Sequence, residues 1–132
     1  MRYLCLAYEE ESKLNALSKS EWDALRSETL TYLEELRRRG YIIAAEALQS
    51  TGTATTLRVR QGKLSLSDGP FAETKEQLGG FFLITAQDLN DAIQVAARWP
   101  SARLGSIEVR PIEEKLRGQG RYLPSQSWGM VI

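Results

Sequence analysis

The chain contains no histidine. Its absence removes the commonest acid–base group near neutral pH and the commonest zinc ligand. Triads built on an imidazole are excluded. Cysteine is nearly as scarce: Cys5 is the only one in 132 residues. No internal disulfide can form, and nothing requires an oxidising compartment. Without histidine or a second cysteine a conventional zinc site is not expected, and the chain is read as carrying no cofactor. Net charge is missing too, because 17 Lys and Arg balance 17 Asp and Glu. That balance gives no support to a general nucleic-acid or polyanion binder. Long apolar runs are also lacking. The stretch Tyr3 to Ala7 has strand length, far short of the roughly 20 residues that span a bilayer. The expectation is a cytoplasmic protein with neither a membrane nor a direct nucleic-acid partner.

Arg2 to Tyr8 reads as a central strand, with Tyr3, Cys5 and Ala7 on one face and Leu4, Leu6 and Tyr8 on the other. Cys5 reads as a buried small hydrophobe. Glu9, Glu10 and Glu11 follow as an acidic loop. Ser18 and Glu21 have the spacing of a capping box. Trp22, Leu25, Thr29, Tyr32, Leu33 and Leu36 then recur at helical spacing, and Gly40 follows Arg37, Arg38 and Arg39 as a helix stop. A second strand is expected over Tyr41 to Leu48, with Ile42, Ala44, Glu46 and Leu48 sharing a face. Glu46 among apolar neighbours is a carboxylate of raised pKa, the partner of an arginine from another strand, or a residue at the exposed strand end.

Thr53 to Arg60 and Lys63 to Asp68 read as a hairpin turned at Gln61-Gly62, with Leu64 and Leu66 inward. A loop follows, Asp68-Gly69-Pro70-Phe71 and a charged turn from Ala72 to Leu78. Gly69 frees the backbone, Pro70 fixes its φ, and Phe71 offers an apolar anchor. The Asp68 carboxylate is placed either to cap this turn or to face a ligand. Gly79-Gly80 opens a strand over Phe81 to Ile84. A second helix, capped by Asp88 and with Leu89, Ala92, Ile93 and Ala96 inward, ends at or just before Trp99, since Pro100 disfavours helix there. Leu104 to Arg110 is the last strand. The order βαβ, hairpin, βαβ predicts an α+β ferredoxin-like sandwich, an antiparallel sheet with helices on one face. Residues 1–112 make that domain. Residues 113–132 show no period and read as a C-terminal extension with Tyr122, Leu123 and Trp128 as anchors.

The run DGPFAETKEQLGGFFLI, together with MRYLCLAY, AAEALQSTGTATTLRVRQGKLSLS, DLNDAIQVAARWP and IEVRP, resembles the YCII-related, DGPF-domain family of bacterial proteins. The resemblance covers most of residues 1 to 112. It implies a ferredoxin-like fold that forms a homodimer through its sheet, as dimeric α+β barrels do. It implies no established reaction. Some members are encoded beside extracytoplasmic-function sigma factors, and some carry a histidine–aspartate pair suggested as catalytic. The histidine half of that pair has no counterpart here.

Three functions are open on the residues. The first is a small-molecule pocket beside the DGPF loop. It would draw on Tyr8, Glu46 and Arg58, on Asp68, Gly69, Pro70 and Phe71, and on Glu73, Lys75, Gly79 and Gly80. The second is a regulatory module that binds a sigma-factor-related protein. The third is a weak enzyme using Asp or Glu as acid–base groups. A loop that merely completes the scaffold accounts for the same motif.

Overall fold

The computed structural model describes residues 1–114. The extension expected at 113–132, with its anchors Tyr122, Leu123 and Trp128, lies outside the described residues apart from Glu113 and Glu114.

β1 (Arg2–Glu9) leads into a short helix, α1 (Glu11–Asn15), and a long one, α2 (Lys19–Arg38). The acidic segment is therefore not a loop: Glu9 still belongs to the strand and Glu11 opens α1. α2 starts as its sequence dictates. The Ser18 hydroxyl accepts from the Glu21 amide, and the Glu21 carboxylate accepts from the Ser18 amide at 2.8 Å. It stops at Gly40, whose φ of +79° suits a residue without a Cβ. There the Gly40 and Tyr41 amides close on the Arg37 and Leu36 carbonyls.

β2 (Ile42–Ala47) precedes an arm made of β3 (Thr55–Arg60) and β4 (Lys63–Asp68). β5 (Gln77–Thr85), α3 (Leu89–Ala97), a 3₁₀ turn (Pro100–Arg103) and β6 (Gly105–Pro111) complete the fold. The sheet order is β2-β5-β1-β6, antiparallel throughout. This is the ferredoxin-like sandwich, with the arm inserted between its second and third sheet strands.

Strand parity decides the core. Tyr3 and Cys5 of β1 stand opposite Ile84 and Phe82 of β5, and all four are at most 1% exposed. Tyr32 and Leu36 of α2, with Ala92, Val95 and Ala96 of α3, cover them. Trp99 stacks on Phe82 with centroids 4.0 Å apart, and Tyr32 meets Trp99 edge-on at 6.1 Å. The Tyr32 hydroxyl donates to the Val95 carbonyl at 2.7 Å, so this buried polar atom is satisfied.

Three expectations need correction. The β2 face does not run Ile42, Ala44, Glu46, Leu48. A register shift between Ile42 and Ala44 turns the strand, so Ile42 and Ala45 pack on the core and Glu46 stands opposite Phe81. In α3 the buried stripe is Ala92, Val95 and Ala96, while Leu89 and Ile93 remain about half exposed. In the arm, Leu64 and Leu66 do not turn inward: both are more than 60% exposed, because β3 and β4 pair only with each other.

Candidate functional site

The far end of the sheet is where β1 and β2 finish and β5 begins. On the helix side there, the layer over the sheet is incomplete. A half-open chamber of about 480 Å³ lies between α2 and the strands. Its floor is made of small residues, Ala7, Ala45, Ala47 and Gly80, with Phe82 and Trp99 at the inner end. Trp22, Leu25, Thr29 and Leu33 of α2 form one wall. Leu14 and Asn15 of α1 and Gln49 and Ser50 after β2 form the rim. A largely apolar concavity of this size with polar groups at its edge is what small-molecule sites share.

Besides Asn15, Thr29, Gln49 and Ser50, the polar groups are Glu9, Glu11, Glu46, Ser101, Arg26 and Gln77. Glu9 has the most telling environment. It continues the odd-numbered face of Tyr3, Cys5 and Ala7, so its side chain points to the helix layer at the point where that layer thins. Burial pushes the Glu9 carboxyl above the usual carboxylate range; the Ser101 hydroxyl opposes the rise and the neighbouring Glu11 charge adds to it. Glu11 shifts the other way. It accepts from the Thr51 amide at 2.8 Å and from the Thr51 and Ser50 hydroxyls, which lowers its pKa and ties α1 to the 3₁₀ turn Thr51–Thr53.

The Gly79-Gly80 pair explains how Glu9 fits. β5 has a register shift here, opposite Ala7 and Tyr8. A Cβ on Gly79 would lie 2.8 Å from a Glu9 carboxylate oxygen, and one on Gly80 would lie 2.8 Å from the Glu46 carbonyl oxygen. The first glycine makes room for the carboxylate. The second lets β5 lie close to β2.

The residues singled out from the sequence divide. Gly79 and Gly80 belong to the chamber, and Glu46 contributes to its lining. Tyr8 is half-buried on the opposite face of β1. Lys75 holds the DGPF loop to the acidic corner through Glu10, at 3.7 Å, and Glu73 is exposed. Asp68, Gly69, Pro70, Phe71 and Arg58 gather at the base of the arm, outside the chamber lining. There Gly69, at φ +104°, donates its amide to the Ala54 carbonyl, and its own carbonyl accepts from the Thr56 hydroxyl at 2.8 Å. These bonds, not the Asp68 carboxylate, close the turn. Phe71 is not a buried anchor: it is 79% exposed, with the Arg58 guanidinium over its ring at 5.5 Å.

Sequence reasoning missed Glu9, Trp22 and Ser101. The signal for Glu9 was its parity with the buried face of β1. Ser101 had none, because only the 3₁₀ turn after α3 brings it to the end of β1. Among the described residues no group of three or more metal-ligating side chains is assembled, and no helix is long and apolar enough to cross a membrane.

Residues 1–115 match the YCII-related domain, and the chain belongs to that family. It is 38% identical over 114 residues to an uncharacterized protein of Rhizobium meliloti (strain 1021), a match covering 85% of this chain and 92% of the relative. Its fold is similar to that of the 5-chloro-2-hydroxyhydroquinone dehydrochlorinase of Burkholderia phenoliruptrix AC1100, solved in complex with 2,5-dihydroxybenzoquinone. That likeness has a TM-score of 0.50 at 17% identity, over 85% of this chain and 93% of the other.

Proposed function

We propose that the protein binds a small, mostly apolar organic molecule in the chamber under α2, oriented by Glu9. The observation that carries this reading is the partly buried carboxyl of raised pKa at the polar end of a largely apolar concavity. A carboxyl in that setting accepts a hydrogen bond from a ligand hydroxyl when ionised and donates one when protonated. The ligand class is a compact ring or chain bearing one hydroxyl or similar group, with its apolar part against Trp22 and Leu25. The Glu9 environment also favours a second reading, acid–base turnover, because a partly buried carboxyl of raised pKa is suited to exchange a proton with a bound hydroxyl. In both readings the protein acts as a homodimer. Support comes from the open face of the sheet, where Leu4, Leu6, Phe81 and Leu83 are only half-buried by their own chain.

The test is a thermal-shift and calorimetric screen of small hydroxylated rings. 2,5-Dihydroxybenzoquinone is included because a protein of this fold has been solved with it. A hit is expected to bind at least about tenfold more weakly to Glu9→Gln, in line with losing a hydrogen bond to a charged group, and equally well to Asp68→Asn. Equal affinity for Glu9→Gln with loss in Asp68→Asn would move the site to the DGPF loop. No hit at all would count against ligand binding in the chamber.

A further inference from the structure

The β3–β4 arm is built as if for a surface that its own chain does not provide. Leu57 stands opposite Leu66 and Val59 opposite Leu64, so four aliphatic side chains share one face. They are 61%, 62%, 55% and 63% exposed in that order. A two-stranded hairpin alone is marginal in water, and the bonds at the base of this one, among Ala54, Thr56 and Gly69, close the arm on itself. Its turn is nevertheless well specified. Gln61 and Gly62 both have positive φ, at +53° and +76°, the geometry whose twist matches a tight hairpin. A firmly specified hairpin with a bare aliphatic face points to docking.

We propose that this arm is a clasp between two copies of the chain, each arm laying its aliphatic face on apolar surface of the other copy. The inference rests on the homodimer reading above and adds to it an element outside the sheet. Area is the first argument. A stable interface buries roughly 800 Å² per partner, and the open sheet face, where Leu4, Leu6, Phe81 and Leu83 are half-buried, supplies part of that. The aliphatic face of the arm adds an exposed patch on the order of 400 Å², at the scale that monomers rarely leave bare.

Charge is the second argument, and it selects a like partner. Residues 55–68 hold Arg58, Arg60 and Lys63 against Asp68 alone, so the arm carries +2 and the remainder of this neutral chain −2. Arg60 donates only to its neighbour's carbonyl, that of Val59, and Arg58 lies over Phe71. Glu46 and Glu73 are exposed at the end of the sheet from which the arm springs. A second copy therefore offers a surface of opposite sign to each arm, and a two-fold axis satisfies both arms at once.

The experiment compares the full-length wild-type chain with Leu57→Lys/Leu66→Lys and with Leu6→Glu on the open sheet face. Sedimentation equilibrium gives the dissociation constant, and circular dichroism verifies folding. The arm substitutions remove only the cross-strand contact between Leu57 and Leu66, so the body of the arm variant should melt close to the dissociated wild type. The expected result is a two-chain wild type, weakened at least about 100-fold by the arm pair through loss of buried aliphatic area. Dimerisation should also weaken as salt rises. A wild type of single-chain mass at micromolar concentration overturns the homodimer and the clasp together, leaving the arm for a different protein or for residues 115–132. A dimer unchanged by the arm pair but broken by Leu6→Glu overturns the clasp alone.

Discussion

Two cross-strand pairs of this molecule are chemically alike and physically opposite. Cys5 and Phe82 face each other in the sheet and are fully buried; Leu57 and Leu66 face each other in the arm and are about 60% exposed. Both pairs sit on well-formed antiparallel ladders. Hydrogen bonding along a strand therefore says nothing about burial. What differs is the third element: Tyr32, Leu36 and Ala92 lie over the sheet pair, and no described element of this chain lies over the arm. Alternating apolar residues mark a face that is to be covered, but not which chain covers it.

The comparison is broken most directly by truncating one residue of each pair. Phe82→Ala should cost about 3–5 kcal/mol, because it deletes a ring stacked on Trp99 in a closed core. Leu66→Ala in the dissociated chain should stay within about 0.5 kcal/mol. Urea unfolding at low protein concentration measures both, and comparable losses would show that the arm is packed in the single chain. A smaller effect is expected from Gly80→Ala, about 1–3 kcal/mol, because the added methyl meets the Glu46 carbonyl oxygen, a backbone atom that cannot swing aside. Gly79→Ala meets only the Glu9 carboxylate. It should cost less stability than Gly80→Ala while displacing Glu9, which ligand affinity would report.

The smallest effect is one of pH. The folded-state pKa of Glu9 is raised above its ordinary value of 4.5. Its contribution is therefore fully present below about that pH and is lost as pH rises through the higher folded value. Glu11, Glu28 and Glu35 are lowered instead, by hydrogen bonds from Thr51, Arg103 and Arg98. Their contribution is present above 4.5 and is lost as pH falls. Glu9→Gln should thus flatten the decline on the alkaline side of that window and leave the acid limb intact. A denaturation series from acid to neutral pH tests this, and an unchanged alkaline slope would place Glu9 in water.

Much of the fold was legible because its signals are local. Ser18 and Glu21 cap α2 through atoms three residues apart, Gly40 ends that helix, and Asp88 caps α3 by accepting from the Asp91 amide. What failed was set by neighbours distant in sequence. The turn in β2 at Ile43 comes from its register against β5, and the bare face of the arm comes from having no sheet to join. The candidate site was legible only at Gly79, Gly80 and Glu46. Phe71 drew attention as a large apolar residue in a Gly-Pro turn, yet it is 79% exposed among the described residues. The chamber itself arises because Ala7, Ala45, Ala47 and Gly80 are all small, a coincidence on three strands that no single stretch of sequence displays.

Cys5, the one thiol, lies on the central strand with no exposed surface, and desolvation by burial pushes its pKa up to about 12. Both conditions silence it towards electrophiles. Fraying of the arm or of α1 does not uncover it, since β5 and β6 flank it and the helices cap it. A thiol reagent added to the native protein therefore reacts only through openings that take the sheet apart. The modification rate becomes a clock for the rarest and largest fluctuation of the molecule. The same silence leaves the outer surface free of competing thiols, so a single cysteine introduced at the arm tip would carry a probe there without any substitution in the core.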